Sequence, residues 1–569
     1  MPRSTAPASG TPESGTPESG TPAHALSRRT LLRSLGAGGA ALAAPALLSA
    51  CSTASSGGSV SNSGAKAAPW PTYLPRTIVT PDLAPTADGV QAGYLSYPSK
   101  LVKAVDRRPG SGKDKIRVIT ITYGTPPKPV GRNRFWQAVQ KALGVEVEFT
   151  VVPEADFQAK MATVFAGGDL PDVISLGGGF VLPREAEFVK AKCADLTEFL
   201  SGDAVKAYPN LAGIPTYAWQ GVGRIAGRIH GIPLERPKTS DALFLDQEAF
   251  RRAGFHQGMP KAEFAAMAKR ASDSRHWAIG AYSGSAFSYP VHAVWHGTAN
   301  EWRLGGGKAV DMWGAPEFKE ALDFMSGLRR DGSYNPDATS LSDVDMMTQF
   351  YNGTIKSMID GFLAYPTNYQ GIKGAFTLDL AQPYAVPGHR PQYQATRGAF
   401  GYVVLKQAPK ERIEMILRVL DFLAAPFGSE EYELSHYGVE GVHFTRNKNN
   451  DPIATELGLV ESNTNVPFKY VCDAPQVLYQ PGGPELVKRI HDWQRTVVPM
   501  LVTNDRWGLQ SDLFSRKGAS LNQILADGVT AVVAGRKKVS DWDAVYKRWQ
   551  NEGGSRLADE LLKEYEAAH

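Results

Sequence analysis

Cysteine is nearly absent: Cys51, Cys193 and Cys472 are the only three in 569 residues. Thiols so few and so far apart make neither a disulfide scaffold nor the closely spaced Cys/His set of a zinc site. An exported protein could join Cys193 to Cys472, but their separation favours two separate buried thiols. Excess charge is equally scarce. The net value is +4, with lysine and arginine scattered, so no basic stripe marks a nucleic-acid partner. Long apolar runs are missing apart from an uncharged stretch of Ala, Gly and Leu at residues 35–48, too short for a bilayer span of ~20 residues. With 43% hydrophobic and 21% charged residues, the remainder has an ordinary globular composition. It is long enough for two or more domains, and no internal repeat of solenoid or propeller period appears.

What is present begins at the N-terminus. Residues 1–21 repeat Ser, Gly, Thr, Pro and Glu, a composition that cannot bury enough apolar surface to order itself. Arg28 and Arg29 then lead into the apolar stretch, which fits the h-region of an export signal. In that setting the arginine pair reads as a twin-arginine address. The stretch ends at Leu48-Ser49-Ala50-Cys51, which looks like a bacterial lipobox. Small residues before Cys51 and a Ser/Gly-rich run after it favour an acylated cysteine over an ordinary cleavage site. A lipid on Cys51 and a flexible tether would hold a globular body at the outer face of the membrane without a spanning helix.

The body reads as α/β. Residues 69–112 are Pro- and Gly-rich, an irregular, flexible lead-in. Residues 115–123 alternate polar and apolar side chains as a strand does, 133–143 have helical spacing, and 145–151 form a second strand. A helix over 157–166 and a third strand over 172–176 follow. Strand and helix alternating at short spacing imply a parallel sheet covered by helices, with ligands held at the carboxyl ends of the strands. Further helices are expected at 247–253, 316–330, 343–351, 411–423, 541–550 and 556–567. Residues 399–405 read as a strand and 242–245 as an apolar segment.

Several segments in order carry a family resemblance. Gly167-Gly168-Asp169-Leu170-Pro171-Asp172-Val173-Ile174 opens the third strand. Arg228-Ile229-His230-Gly231-Ile232-Pro233 comes next, then Phe350-Tyr351-Asn352-Gly353 with Met358 and Gly361. Phe422-Leu423, the run from Tyr437 to His443, and Trp542 onward complete the set. Behind a lipobox, this series resembles the type II extracellular solute-binding proteins, the family of maltose-binding protein and of lipoprotein oligosaccharide receptors. Arg228, His230 and Asp246-Gln247 depart from the family pattern and leave the sugar open.

The resemblance implies a two-lobed periplasmic-binding-protein-like fold of type II with a hinge and an inter-lobe cleft. Residues 113–242 and 398–470 would form the first lobe, 243–397 and 471–569 the second. The crossovers would lie near Leu243-Phe244-Leu245 and Gly398 to Tyr402. It also implies capture of a carbohydrate, expected to be an oligosaccharide, by lobe closure and its delivery to the permease of an ABC importer. The protein is expected to be monomeric, with no cofactor, no metal and no catalysis. By the resemblance Gly178, Gly179 and Phe180 line the cleft, with Glu235, Arg236 and Thr239. A sugar needs aromatic plates and planar polar groups, so Phe287, Tyr289, Phe362 and Tyr365 join them. Trp295, Trp302 and Trp507 are second choices, and Arg236, Arg303 and Arg397 would suit an acidic sugar.

Other patterns carry less. His292 and His296 stand four apart, but no glutamate sits in the metalloprotease position. Residues 281–285 lack the first glycine of a nucleophile elbow, 110–114 lack the spacing of a phosphate loop, and 447–451 do not complete a calcium loop. A surface glycoside hydrolase or lyase, which needs two opposed carboxylates, and a peptide or small-solute receptor on the same scaffold remain the alternatives.

Overall fold

The computed structural model describes residues 59–123, 126–462 and 467–569. The expectations for the N-terminal tract, the arginine pair, the apolar stretch and Cys51 lie outside the described residues. In chain order the elements that matter are β1 (Asp114–Thr122), α1 (Arg134–Leu143), β2 (Val145–Pro153), α2 (Glu154–Ala166), β3 (Val173–Gly177) and α3 (Glu185–Lys192). Then come β4 (Gly231–Glu235), β5 (Ala242–Asp246), α4 (Asp343–Tyr351), β6 (Ser357–Asp360), β7 (Leu378–Leu380) and β8 (Ala399–Leu405). Two long C-terminal helices, α5 (Asp512–Val533) and α6 (Ser555–Ala568), close the chain.

Local chemistry accounts for the first elements. Asn133 caps α1 by accepting from the Trp136 amide at 2.9 Å, and Gly144 ends it in the left-handed conformation, where glycine carries no Cβ penalty. α2 starts one turn earlier than the apolar spacing suggests. Glu154 and Asp156 occupy its first turn, favourably placed for the helix dipole.

The first sheet runs β2-β1-β3-β8-β4. β1 is parallel to β2 and β3, whereas β8 runs antiparallel to β3 and β4. Its central strand β3 is wholly buried, as a strand covered on both faces must be. One face packs against Phe135, Val139, Trp219 and Leu417, the other against Phe157, Met161 and Val189. The second lobe has its own core around the antiparallel sheet β6-β5-β7, packed by helices including α5 and α6.

The crossovers sit beside the places the sequence suggests. Leu243 to Leu245 lie within β5, buried in the second core, so the first passage is residues 236–241, which hold Pro237, Lys238 and Ser240. The second passage, 395–398, precedes β8 rather than forming its start. The apolar run was too well suited to a buried strand to serve as a connection. Residues 59–113 are irregular but docked, not a free tether. Ala68 donates to the Gly227 carbonyl (2.8 Å), Tyr94 to that of Leu478 (2.9 Å), and Val60 is fully buried. Cys193 and Cys472 are separate buried thiols, and burial pushes the Cys193 thiol up to about 12. Among the described residues no helix is long and apolar enough to cross a membrane.

Candidate functional site

Two of the three passages between the lobes, 236–241 and 395–398, are bonded to each other. Thr239 and Ala395 form an antiparallel bridge, the Arg236 amide donates to the Gly398 carbonyl (3.0 Å), and Thr396 donates through its amide to Lys238 (2.8 Å). Thr396 also donates through its hydroxyl to the Pro237 carbonyl (2.8 Å). This paired ribbon floors a cleft of about 2730 Å³ lined by both lobes. Such a volume is several times that of an ordinary small-molecule pocket of ~300–1,000 Å³.

The first-lobe wall is aromatic. Tyr123 follows β1 and meets Phe400 edge-on at 6.3 Å, while Phe400 lies 5.2 Å from Tyr470. The Arg236 guanidinium stands 5.1 Å above Phe400, a cation–π geometry. Gly178 has a φ of 82°, and a Cβ there would come within 2.9 Å of the Tyr123 hydroxyl, so the glycine is what lets the loop after β3 approach this wall.

The second-lobe wall is acidic and phenolic: Asp241 before β5, Asp343 at the start of α4, Asp360 at the end of β6, with Tyr282 and Tyr351. Ser342 caps α4, which fixes where Asp343 emerges. Burial and the facing Glu154 carboxylate, on the first lobe, push Asp343 up to about 6. Burial, with Asp343 and Asp241 nearby, pushes Asp360 up to about 7. Glu154, Asp241, Asp343 and Asp360 all raise the Tyr282 hydroxyl, after burial itself, so charges from both lobes converge there.

Of the residues expected from the sequence, Gly178, Gly179, Phe180, Arg236, Thr239, Phe362, Tyr365 and Trp507 line this cleft. Several do so with their side chains committed elsewhere. Thr239 is buried and accepts from Gln494. Phe362 stacks on Trp493 at 5.4 Å, and the Tyr365 hydroxyl donates to the Tyr479 carbonyl (3.1 Å). Glu235, Phe287, Tyr289 and Trp295 do not line it. Glu235 is buried beneath the ribbon, accepting from Tyr217 and from the Gln476 amide, and burial pushes it up to about 7. Phe287 packs edge-on against Tyr334, Tyr289 accepts from the Trp313 indole (3.2 Å), and Trp295 packs on Tyr384 and Tyr393. Ser285, Ser288 and Pro290 present that loop to the cleft instead.

Trp302 is core, Arg303 is exposed away from the cleft, and Arg397 lines it while donating to the Ala399 and Phe400 carbonyls. His292 and His296 are buried among aromatic rings, His292 bonded to Tyr384, and burial pushes both down, to about 3 and about 4. The residues missed were Tyr123, Tyr282, Asp343, Phe400 and Tyr470. Tyr123 alone carried a signal, as the residue that ends a parallel strand.

Comparison with known proteins follows the same architecture. The family described as bacterial extracellular solute-binding protein matches residues 135–420. A polygalacturonan/rhamnogalacturonan-binding protein of Bacillus subtilis, YtcQ, is 21% identical over 470 residues, covering 80% of this chain and 91% of that protein. Lipoprotein LipO of the same organism is also 21% identical, over 80% of this chain and 93% of its own length. Among solved structures, the alginate-binding protein AlgQ2 superposes with a TM-score of 0.60 at 12% identity, covering 82% of this chain and all of the other. The N-glycan transport protein NgtS of Streptococcus pneumoniae, in complex with Man5GlcNAc, gives 0.55 at 14% identity, covering 80% of this chain and 98% of its own.

Proposed function

Because this chain belongs to the bacterial extracellular solute-binding proteins, we propose that it captures an oligosaccharide between its lobes and hands it, unaltered, to an ABC permease. The single observation that carries the reading is the cleft. At about 2730 Å³ it has room for several sugar rings, with aromatic plates on one wall and hydrogen-bond acceptors on the other. Flat C–H faces of pyranose rings suit Tyr123, Phe400 and Tyr470, and the hydroxyl fringe suits the carboxylates opposite. The names of YtcQ, AlgQ2 and NgtS, all glycan binders or transporters, support the same class of ligand.

The paired crossovers serve as the hinge, with 113–235 and 399–472 moving against 242–394 and 478–569. Gly178, Gly179, Phe180, Arg236 and Trp507 belong to the cleft surface the ligand meets, with Phe362 and Tyr365 supporting that surface from behind. The monomeric chain is tethered through acylated Cys51 after export by the twin-arginine route, and LipO, a lipoprotein, supports that anchoring. Metabolic labelling with a fatty-acid probe, lost in Cys51→Ala, tests the tether. Titration calorimetry of the chain against a panel of oligosaccharides tests capture. Heat of binding to at least one glycan, with the glycan recovered intact, is expected. Absence of binding to every glycan, or release of cleaved product, would overturn the reading.

A further inference from the structure

The carboxylates of the cleft fall into two groups. Glu185 accepts from the Tyr402 hydroxyl (2.6 Å), Glu248 pairs with Arg251 (2.9 Å) and Glu301 with Arg506 (3.4 Å). Glu461 meets His443 at 3.2 Å and Asp473 meets His436 at 2.9 Å. Glu154, Asp241, Asp343 and Asp360 are different: among the described residues, none has a lysine, arginine or histidine within ion-pair distance.

Most cations that line the cleft are held by other groups, Arg489 by the Leu378 carbonyl and Arg506 by Glu301, while the exposed Lys128 and Lys373 make no ion pair with the four carboxylates. Arg236 donates to the Glu235 carbonyl and covers Phe400, Arg397 is bound to backbone carbonyls, and Lys469 lies 5.0 Å over Tyr470. Beside the unpaired group, Gln394 is 3% exposed and lines the cleft. Its amide nitrogen donates to the Asp241 carbonyl (3.0 Å), while its side-chain oxygen has no partner. The second-lobe wall therefore faces the aromatic rings with carboxylates that have no cation partner among the described residues, and with the unpaired Gln394 oxygen. Asp360 accepts only from the Gly361 amide (2.7 Å) and Asn368 (3.5 Å), and a buried acceptor left unpaired is unfavourable until a donor reaches it.

Resting on the carbohydrate reading, the geometry points to a neutral glycan as the ligand, its hydroxyls donating to Asp343 and Asp360 while its rings lie on Tyr123, Phe400 and Tyr470, with uronate-bearing glycans excluded from this stretch of the cleft. A hydroxyl donor relieves the crowding that Glu154 imposes on Asp343, and that Asp343 and Asp241 impose on Asp360. A uronate carboxylate adds another anion that only accepts, at close range and away from bulk water, where like charges are most costly. Selectivity thus resides in repulsion of the wrong sugar as much as in attraction of the right one.

The test is calorimetry on the full chain at pH 7.5 with two ligand sets: neutral oligosaccharides (gluco-, xylo- and manno-) and oligogalacturonides of matched length. At least one neutral glycan is expected to bind, at least tenfold tighter than any oligogalacturonide. Asp343→Asn with Asp360→Asn should narrow that ratio at least tenfold; each change removes a crowded charge, so thermal unfolding should not fall. Oligogalacturonides binding as tightly as neutral glycans, or a ratio unmoved in the double variant, would overturn the selectivity while leaving carbohydrate capture intact. Silence from both sets would overturn the two readings together.

Discussion

Thr239 and Ala395, separated by more than 150 residues, face each other as a two-residue antiparallel bridge across the floor of the cleft. The bridge joins two of the three passages between the lobes, so these two move as one ribbon. Around it Thr396 works twice, donating its hydroxyl to Pro237 (2.8 Å) and accepting from the Gly398 amide (2.9 Å). Thr396→Val keeps the shape and removes both bonds. It is expected to lower unfolding free energy by about 1–2 kcal/mol, read by urea denaturation, and to broaden the distribution of lobe separations seen by small-angle scattering. An unchanged midpoint and unchanged scattering would show that the ribbon does not hold the hinge.

Tyr365 illustrates a cleft residue whose role is structural. Its hydroxyl donates to the Tyr479 carbonyl and accepts from the Tyr479 amide, both at 3.1 Å, and Tyr479 in turn donates to Asp451 (2.7 Å). Tyr365→Phe leaves a buried amide unpaired, and a loss of about 1–3 kcal/mol is expected, measurable by thermal unfolding. Stability equal to the parent would mean that the amide finds another acceptor.

Two aromatic truncations separate core from cleft. Trp295 is 1% exposed among Tyr384 and Tyr393, so Trp295→Ala should cost about 3–5 kcal/mol through the cavity it leaves. Tyr123 is 40% exposed on the cleft wall. Tyr123→Ala should move stability by no more than ~0.5 kcal/mol and weaken glycan binding about tenfold, ~1.4 kcal/mol. Paired denaturation and calorimetry check both, and the reverse pattern would exchange their assignments.

Asp360 ties stability to pH. Burial and its acidic neighbours Asp343 and Asp241 raise it from 3.8 to about 7, with Glu154 and Tyr282 facing the same group. Between those values the folded chain keeps a proton that the unfolded chain has released, so stability falls as pH rises through that window. Asp360→Asn removes the dependence. The variant should unfold at a higher temperature than the parent above pH 7, by about 1 kcal/mol after screening by cleft water. The gain should shrink to nothing near pH 4. A constant difference across the range would point to a packing effect instead of a charge.

Much of the architecture was legible because it depends on near neighbours. The alternation in β1 and the helical spacing of α1 are local signals that the sheet later uses. The same reasoning failed where two destinies shared one pattern. The run at 242–245 serves equally as a crossover or a buried strand, and Phe287 and Tyr289 serve equally as plates for a ligand or as filling for a core.

By itself, the sequence determined most of the element types and the family the chain belongs to, since each is written in contiguous residues. Which side chains meet in the cleft was decided only by the tertiary structure. Tyr123, Asp343, Phe400 and Tyr470 come from four distant segments, and no periodicity encodes their meeting. The aromatic wall and the acidic wall are built around two separate sheets, and they face one another across passages that pair at Thr239 and Ala395.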